Sequence, residues 1–108
     1  MLPRVEVVEE TMMAGLSCGA VSPLAWTVLR QCTDHFVTMS DDLVGVAMRC
    51  LASGDLGGGP IEGGECATAG LLTLSALASD PALRMAFDLN EGSRVLLIGS
   101  EGATDRDI

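Results

Sequence analysis

The feature that most constrains the fold is an unbroken apolar run near the carboxyl end of the chain, at residues 95–98. The run reads Val-Leu-Leu-Ile, follows Arg94 and ends at Gly99. Such a short apolar run favours a strand, and the lack of alternating polar residues is typical of a strand covered on both faces. A fold that contains this strand must therefore supply packing partners on both sides of it.

The rest of the pattern predicts further strands, separated by helices. Residues 5–9 and 35–39 have strand-like composition, and residues 54–60 form a glycine-rich loop. Helices are predicted at residues 22–34, 41–53, 65–78 and 80–87, with Ser40 or Asp41 capping the second. The helix at 65–78 is apolar on nearly every side, which is typical of burial on more than one face. We predict a single domain over residues 1–108, an α/β fold that forms a partial three-layer unit with a short, mostly parallel sheet and flanking helices.

The charged residues exclude several classes of partner. The chain has 108 residues, 15 acidic side chains and six arginines but no lysine, and its net charge is −9. This balance disfavours nucleic acid and anionic membrane surfaces. No apolar run reaches the ~18 residues of a membrane span, and the amino-terminal residues do not resemble a signal peptide, so we expect a cytoplasmic protein.

Isolated motifs carry little chemistry. The glycines at 57–59 and 63–64 precede a helix, which makes the geometry of a phosphate cradle possible. Glu62 and Glu65 lie where an anion would arrive, however, and we favour a plain connection. His35 has no catalytic neighbour and is interpreted as structural or solvent-facing. The Cys66 thiol either has a lowered pKa at a helix start or is an inert buried thiol, and we favour the second alternative. The four cysteines are widely spaced, so no metal site is predicted.

Four segments together resemble the diaminopropionate ammonia-lyase branch of the threonine dehydratase and tryptophan synthase β family of pyridoxal-phosphate enzymes. They are TMMAGLSCG (residues 11–19) with SPLAW (22–26), FVTMSD (36–41), EGGECA (62–67) and SRVLLIGSEGATD (93–105). Their order and spacing match the family along nearly the whole chain. The chain therefore looks like about the last quarter of such a protein, a fragment of the family's large cofactor domain.

The resemblance implies which side chains would contact a cofactor. In the family, a small polar residue at the end of the last strand hydrogen-bonds the pyridine nitrogen, and that register falls here on Gly99 or Ser100. The family's Gly-Glu-Ser-Gly is replaced by Gly-Glu-Cys-Ala at residues 64–67, which keeps Glu65 near the ring. The Schiff-base lysine and the phosphate-binding loop would lie upstream, so no catalytic residue is assigned and no cofactor is expected on this chain alone.

Three functional hypotheses remain open at this stage. The first is a truncated lyase segment without catalysis of its own. The second is an oligomerisation or partner-binding module that forms a homo-oligomer or complements a separate amino-terminal half of the enzyme. The third, an independent enzyme that uses Cys66 or His35, lacks any recognisable catalytic constellation.

Overall fold

The computed structural model describes residues 2–102. Within that range the chain forms four α-helices and two short 3₁₀ turns. The helices are α1 (Pro23–Cys32), α2 (Val44–Ser53), α3 (Ala69–Ser79) and α4 (Pro81–Ala86), and the 3₁₀ turns are Ala14–Leu16 and Glu65–Thr68. The last turn leads directly into α3, so together they occupy the predicted helix at 65–78.

The helix ends follow local sequence signals. The Ser22 hydroxyl accepts the Ala25 amide at the start of α1, and the Asp80 carboxylate accepts the Ala82 and Leu83 amides at the start of α4. A side-chain oxygen at such a position satisfies amides that lack an intrahelical partner. These two predicted starts are confirmed. The predicted stop of α2 is also confirmed, since Gly54 ends it in the left-handed region with φ +77°.

The predicted α/β fold is wrong. No strand is present among residues 2–102, where the only β-type pairing is an isolated antiparallel bridge between Arg4 and Ala20. Residues 5–9, 35–39 and 94–98 therefore do not assemble into a mostly parallel sheet. The physical reason is that a strand forms only when a neighbour takes its backbone hydrogen bonds, whereas a helix satisfies its own. The described chain is mainly helical.

The core is small and lies where α2 packs against Met13 and the beginning of α3. Met13, Val44 and Met48 form the buried cluster, with Met39 and Leu72 packed against it. The predicted burial of α3 on several faces is wrong for this structure, because Leu77 is its one buried residue. The accessible surface of the chain is 8340 Å². A compact monomer of this mass has about 5700 Å², so much apolar surface remains uncovered.

Candidate functional site

The 3₁₀ turn Glu65–Thr68 is the point where the carboxyl-terminal segment meets the rest of the chain. The Gly64 amide donates a hydrogen bond of 2.9 Å to the Glu101 carbonyl. A Cβ atom built on Gly99 would lie 3.0 Å from the Ala67 Cβ and 3.2 Å from the Ala67 carbonyl oxygen. Glycine at positions 64 and 99 therefore allows residues 99–102 to lie directly against the turn.

The Cys66 side chain connects this turn to residues 11–19. A Cβ atom built on Gly15 would lie 3.0 Å from the Cys66 Sγ atom. A hydrogen bond with the Glu101 side chain, aided by desolvation, raises the pKa of the Cys66 thiol above its usual value of 9.0, and backbone groups of Gly15 and Leu16 oppose the shift. The predicted alternative of a lowered pKa is therefore wrong, and the thiol is half-buried rather than fully buried.

Asp41 attaches the same amino-terminal segment from the other side. One carboxylate oxygen accepts the Thr11 hydroxyl at 2.6 Å, and the other accepts the Met12 amide at 2.7 Å. The Thr11 hydroxyl in turn accepts the Met13 amide at 3.1 Å. Hydrogen bonds from Thr11 first, and from Met12 second, lower the pKa of Asp41 below its usual value of 3.8. Asp41 thus joins two distant segments. The sequence predicted that Ser40 or Asp41 caps α2, and this is wrong, because no side chain caps the start of that helix.

These contacts bring all four of the segments that carry the family resemblance into one continuous arrangement. Residues 36–41 hold residues 11–19 through Asp41, and residues 11–19 contact residues 62–67 at Cys66. Residues 62–67 hold residues 99–102 through Gly64. The final part of the last segment, from residue 103 onward, lies outside the described residues.

A cavity of about 410 Å³ opens beside this arrangement. Its wall is mostly aliphatic and includes Leu51, Leu71 and Leu97, while the carboxylates of Glu62 and Glu101 provide its charged groups. Gly99 also lines it, which places one predicted cofactor contact at the cavity. The cavity therefore combines an apolar wall with negative charge.

The three predicted cofactor contacts are only partly brought together. Gly99 packs against Ala67, which belongs to the same 3₁₀ turn as Glu65. Ser100 is exposed and Glu65 is half-buried. Sequence reasoning missed Glu101 and the linking role of Asp41. The first charged residue after the apolar run at 95–98 was a usable signal for Glu101, whereas nothing local distinguished Asp41 from a helix cap.

The described residues do not by themselves fit pyridoxal phosphate, the cofactor that the resemblance implies for the full-length family. The cofactor needs an amine for its aldehyde and cations or amides for its phosphate. The chain contains no lysine, and the nearest charged groups at the cavity are the carboxylates of Glu62 and Glu101. The glycines at 57–59 have positive φ angles, and a Cβ atom added to any of them would contact nothing within 4 Å. Those three glycines thus pack against no other described part of the chain.

Other candidates from the sequence contribute no further site. His35 is exposed and lies beside Phe87, with a ring-centre distance of 4.3 Å. Within residues 2–102 no three His, Cys, Asp or Glu side chains are grouped closely enough to hold a metal ion. None of the described helices has the length and apolar character needed to cross a membrane.

Comparison with known proteins identifies relatives along almost the entire chain. It is 38% identical over 99 residues to the diaminopropionate ammonia-lyase of Escherichia coli (strain K12), which covers 88% of this chain. It is 33% identical over 102 residues to the diaminopropionate ammonia-lyase of Salmonella typhimurium (strain LT2), which covers 91% of this chain. No family model and no solved structure matches it.

The match is extensive for this chain but partial for its relatives. In both comparisons the chain spans 25% of the length of the curated relative. The level of identity agrees with the resemblance carried by the four sequence segments, which is thereby confirmed. This chain is similar, over nearly all of its length, to a quarter of a diaminopropionate ammonia-lyase, as a C-terminal fragment of such a protein would be.

Proposed function

We propose that the chain is a C-terminal segment of a diaminopropionate ammonia-lyase that has no lyase activity on its own. The observation that carries this proposal is that contacts at Asp41, Cys66 and Gly64 join the four family segments, although no sheet is present among residues 2–102 to hold them. The segment keeps the local contacts that would form one wall of a cofactor site, with Gly99 and Ser100 toward the ring and Glu65 beside it.

The absence of catalysis follows from the side chains that remain. The resemblance implies that 2,3-diaminopropionate is converted to pyruvate and ammonia, with pyridoxal phosphate supplying the electron sink that activates the α-carbon. A lysine amine serves as both nucleophile and proton carrier in such enzymes. This chain has no lysine, and its described cavity carries carboxylates that disfavour a phosphate dianion. Both roles must therefore be supplied by a part of the enzyme other than these 108 residues.

A lyase assay tests this proposal in two steps. Purified chain with pyridoxal phosphate and 2,3-diaminopropionate is expected to release no pyruvate above the rate of the free cofactor. Co-expression with the E. coli relative lacking the 99 matched residues is expected to give a complex that does release pyruvate. Turnover by the chain alone that survives repurification would overturn the proposal, as would the absence of any complex.

A partner-binding or assembly role is the second candidate, and a specific observation favours it. The chain exposes about 2600 Å² more surface than a compact monomer of its mass. A stable interface needs about 800 Å² from each partner, so the uncovered surface is large enough for one. This role is compatible with the first, because a lyase segment without the rest of its fold must bind that rest in order to work.

A further inference from the structure

A second cavity, of about 260 Å³, lies between the carboxyl end of α3 and the turn that follows α4. Its apolar wall includes Leu74 and Leu89, which are half-buried, and Val95. None of the described acidic side chains lines it, although the chain carries a net charge of −9. The polar side chains at this cavity are those of Arg84, Asn90 and Ser93. The cavity thus combines an apolar wall with one cation and two neutral polar groups.

Contacts within the chain hold the Arg84 guanidinium at this cavity. Its Nη1 atom donates a hydrogen bond of 2.6 Å to the Ala78 carbonyl near the end of α3. The Arg84 carbonyl accepts the Leu89 amide at 2.8 Å, which fixes the backbone beside the cavity. Among residues 2–102 the Arg84 side chain has no carboxylate partner. A guanidinium carries several N–H groups, so most of them remain able to bind an external anion.

The turn at residues 90–93 supplies two further donors. The Ser93 Oγ atom accepts the Asn90 amide at 2.9 Å, so the hydroxyl hydrogen is left to be donated elsewhere. The Asn90 Oδ1 atom accepts the Gly92 amide at 2.8 Å, which leaves the NH₂ group of this side chain as its unused part. The two neutral polar side chains therefore offer donors to the cavity, as Arg84 does.

From these donors beside an apolar wall we infer that the cavity is a binding site for a small aliphatic carboxylate. The guanidinium of Arg84 takes the two carboxylate oxygens through parallel hydrogen bonds, and Asn90 and Ser93 donate to the remaining lone pairs. The hydrocarbon tail lies on the apolar wall. This site shares no lining residue with the larger cavity at Gly99, and its occupancy does not depend on lyase activity.

The size of the cavity sets the length of the tail. A water molecule takes about 30 Å³ of liquid volume, so the cavity has room for a ligand of about eight non-hydrogen atoms, such as hexanoate. A neighbouring cavity of about 280 Å³ shares the wall formed by Leu74, Leu89 and Val95 and continues with Leu77 and Phe87. Each methylene group that this surface covers should tighten binding by about fourfold.

The charges around the cavity favour a monocarboxylate over other ligands. A single guanidinium beside apolar side chains suits one negative charge with a hydrocarbon tail, and it repels an organic cation. Asp88 and Glu91 belong to the same stretch of chain but line neither cavity. Their charges and the acidity of the whole chain lower the local concentration of anions. We therefore expect a dissociation constant on the order of 1 mM for hexanoate.

The test is a titration of the purified chain followed by two-dimensional amide NMR. Hexanoate up to about 20 mM should shift the amide signals of Asn90, Ser93 and Val95 with saturation. Hexanol and hexylamine have the same tail without the negative charge, and each should bind at least about tenfold more weakly. Butanoate has the same head group with a shorter tail and should also bind about tenfold more weakly.

Matched variants locate the head group and the tail. Arg84→Gln removes the cation and should weaken hexanoate binding by at least about tenfold. Arg30→Gln removes the same charge from α1, away from the cavity, and should bind hexanoate like the original chain. Val95→Ala shortens the apolar wall and should reduce the difference in affinity between hexanoate and butanoate. Circular dichroism of each variant checks that the helices are retained.

Each outcome decides a different point. Equal binding of hexanol and hexanoate would show an apolar pocket only and overturn the assignment of a carboxylate. Equal binding by Arg84→Gln and Arg30→Gln, or no saturable shift in the original chain, overturns the site. If Arg84→Gln loses its helices, Val95→Ala decides, and an unchanged preference for hexanoate over butanoate overturns the site. None of these results bears on the lyase assay, so the proposed function stands or falls separately.

Discussion

The contact between Gly64 and the carboxyl-terminal segment can be tested with a single methyl group. Gly64 has φ −81° and ψ 179°, a conformation that alanine adopts without strain. A Cβ atom at this position would nevertheless lie 2.5 Å from the Gly102 carbonyl oxygen and 2.8 Å from the Glu101 Cγ atom. Gly64→Ala must therefore push residues 101 and 102 away from the turn, and steric overlap is the sole cause.

The change in the free energy of unfolding caused by Gly64→Ala follows from two destabilising contributions and one stabilising contribution. Overpacking costs about 1–3 kcal/mol, and loss of the hydrogen bond from the Gly64 amide to the Glu101 carbonyl costs about 1 kcal/mol. Alanine also restricts the unfolded chain, which stabilises the fold by about 0.4–1 kcal/mol. The two costs overlap, since displacement that relieves the clash also breaks the bond. We expect Gly64→Ala to lower the free energy of unfolding by about 1–2 kcal/mol.

Gly102→Ala is the matched control, because it adds the same methyl group on the other side of the same contact. A Cβ atom at position 102 meets no described atom within 4 Å. Urea unfolding followed by circular dichroism should place Gly102→Ala at or slightly above the original chain and Gly64→Ala clearly below it. Equal stability of the two variants would refute the assignment of residues 99–102 to this turn.

Further predictions concern chemistry, pH and assembly. Borohydride reduction with pyridoxal phosphate should label no residue other than the α-amine of Met1, because the chain lacks lysine, and mass spectrometry of a digest would reveal any other adduct. Because the pKa of Cys66 is raised, its protonated thiol stabilises the fold below the usual thiol pKa of 9.0, and this contribution is lost as pH rises through the folded value. The denaturant concentration at the midpoint of unfolding should therefore decrease as the pH rises above 9.0. Cys66→Ser should make the unfolding midpoint depend less on pH, and an unchanged dependence would contradict this prediction. Because the pKa of Asp41 is lowered, its carboxylate stabilises the fold above the usual value of 3.8, and this contribution is lost as pH falls through the folded value. Thr11→Val should therefore make the loss of stability in acid less steep. The chain alone should be a dimer or larger, and light scattering that gives a folded 11.2 kDa monomer would contradict this.

The parts of the fold that could be predicted are those that depend on near neighbours in the sequence. Ser22 and Asp80 each precede a proline and each accepts an amide within the next three residues, so the starts of α1 and α4 were readable from a few positions. Gly54 ends α2 for an equally local reason, its freedom to adopt positive φ. Such signals do not depend on what the rest of the chain does.

The absence of a sheet from residues 2–102 could not be predicted, because the stability of a sheet depends on atoms far away in sequence. Residues 94–98 have strand composition and an extended backbone, yet no described segment lies beside them to complete the hydrogen bonds. Asp41 shows the same dependence on a smaller scale. Its sequence position suits a helix cap, but the Thr11 hydroxyl and the Met12 amide, about thirty residues away, take both of its oxygens. A short polar side chain accepts hydrogen bonds from whichever donors the fold brings closest.

The incorrect strand prediction and the correct family resemblance have a common physical origin. The run at residues 95–98 is apolar throughout, which suits an inner strand and costs stability in a chain that leaves Leu96 and Ile98 in water. The turn around Gly64 and Cys66, in contrast, is held by contacts that this chain supplies itself. A sequence taken from a larger fold would show this division, with its local contacts formed and its apolar run exposed. The exposed run is therefore in keeping with a match that spans only a quarter of each relative.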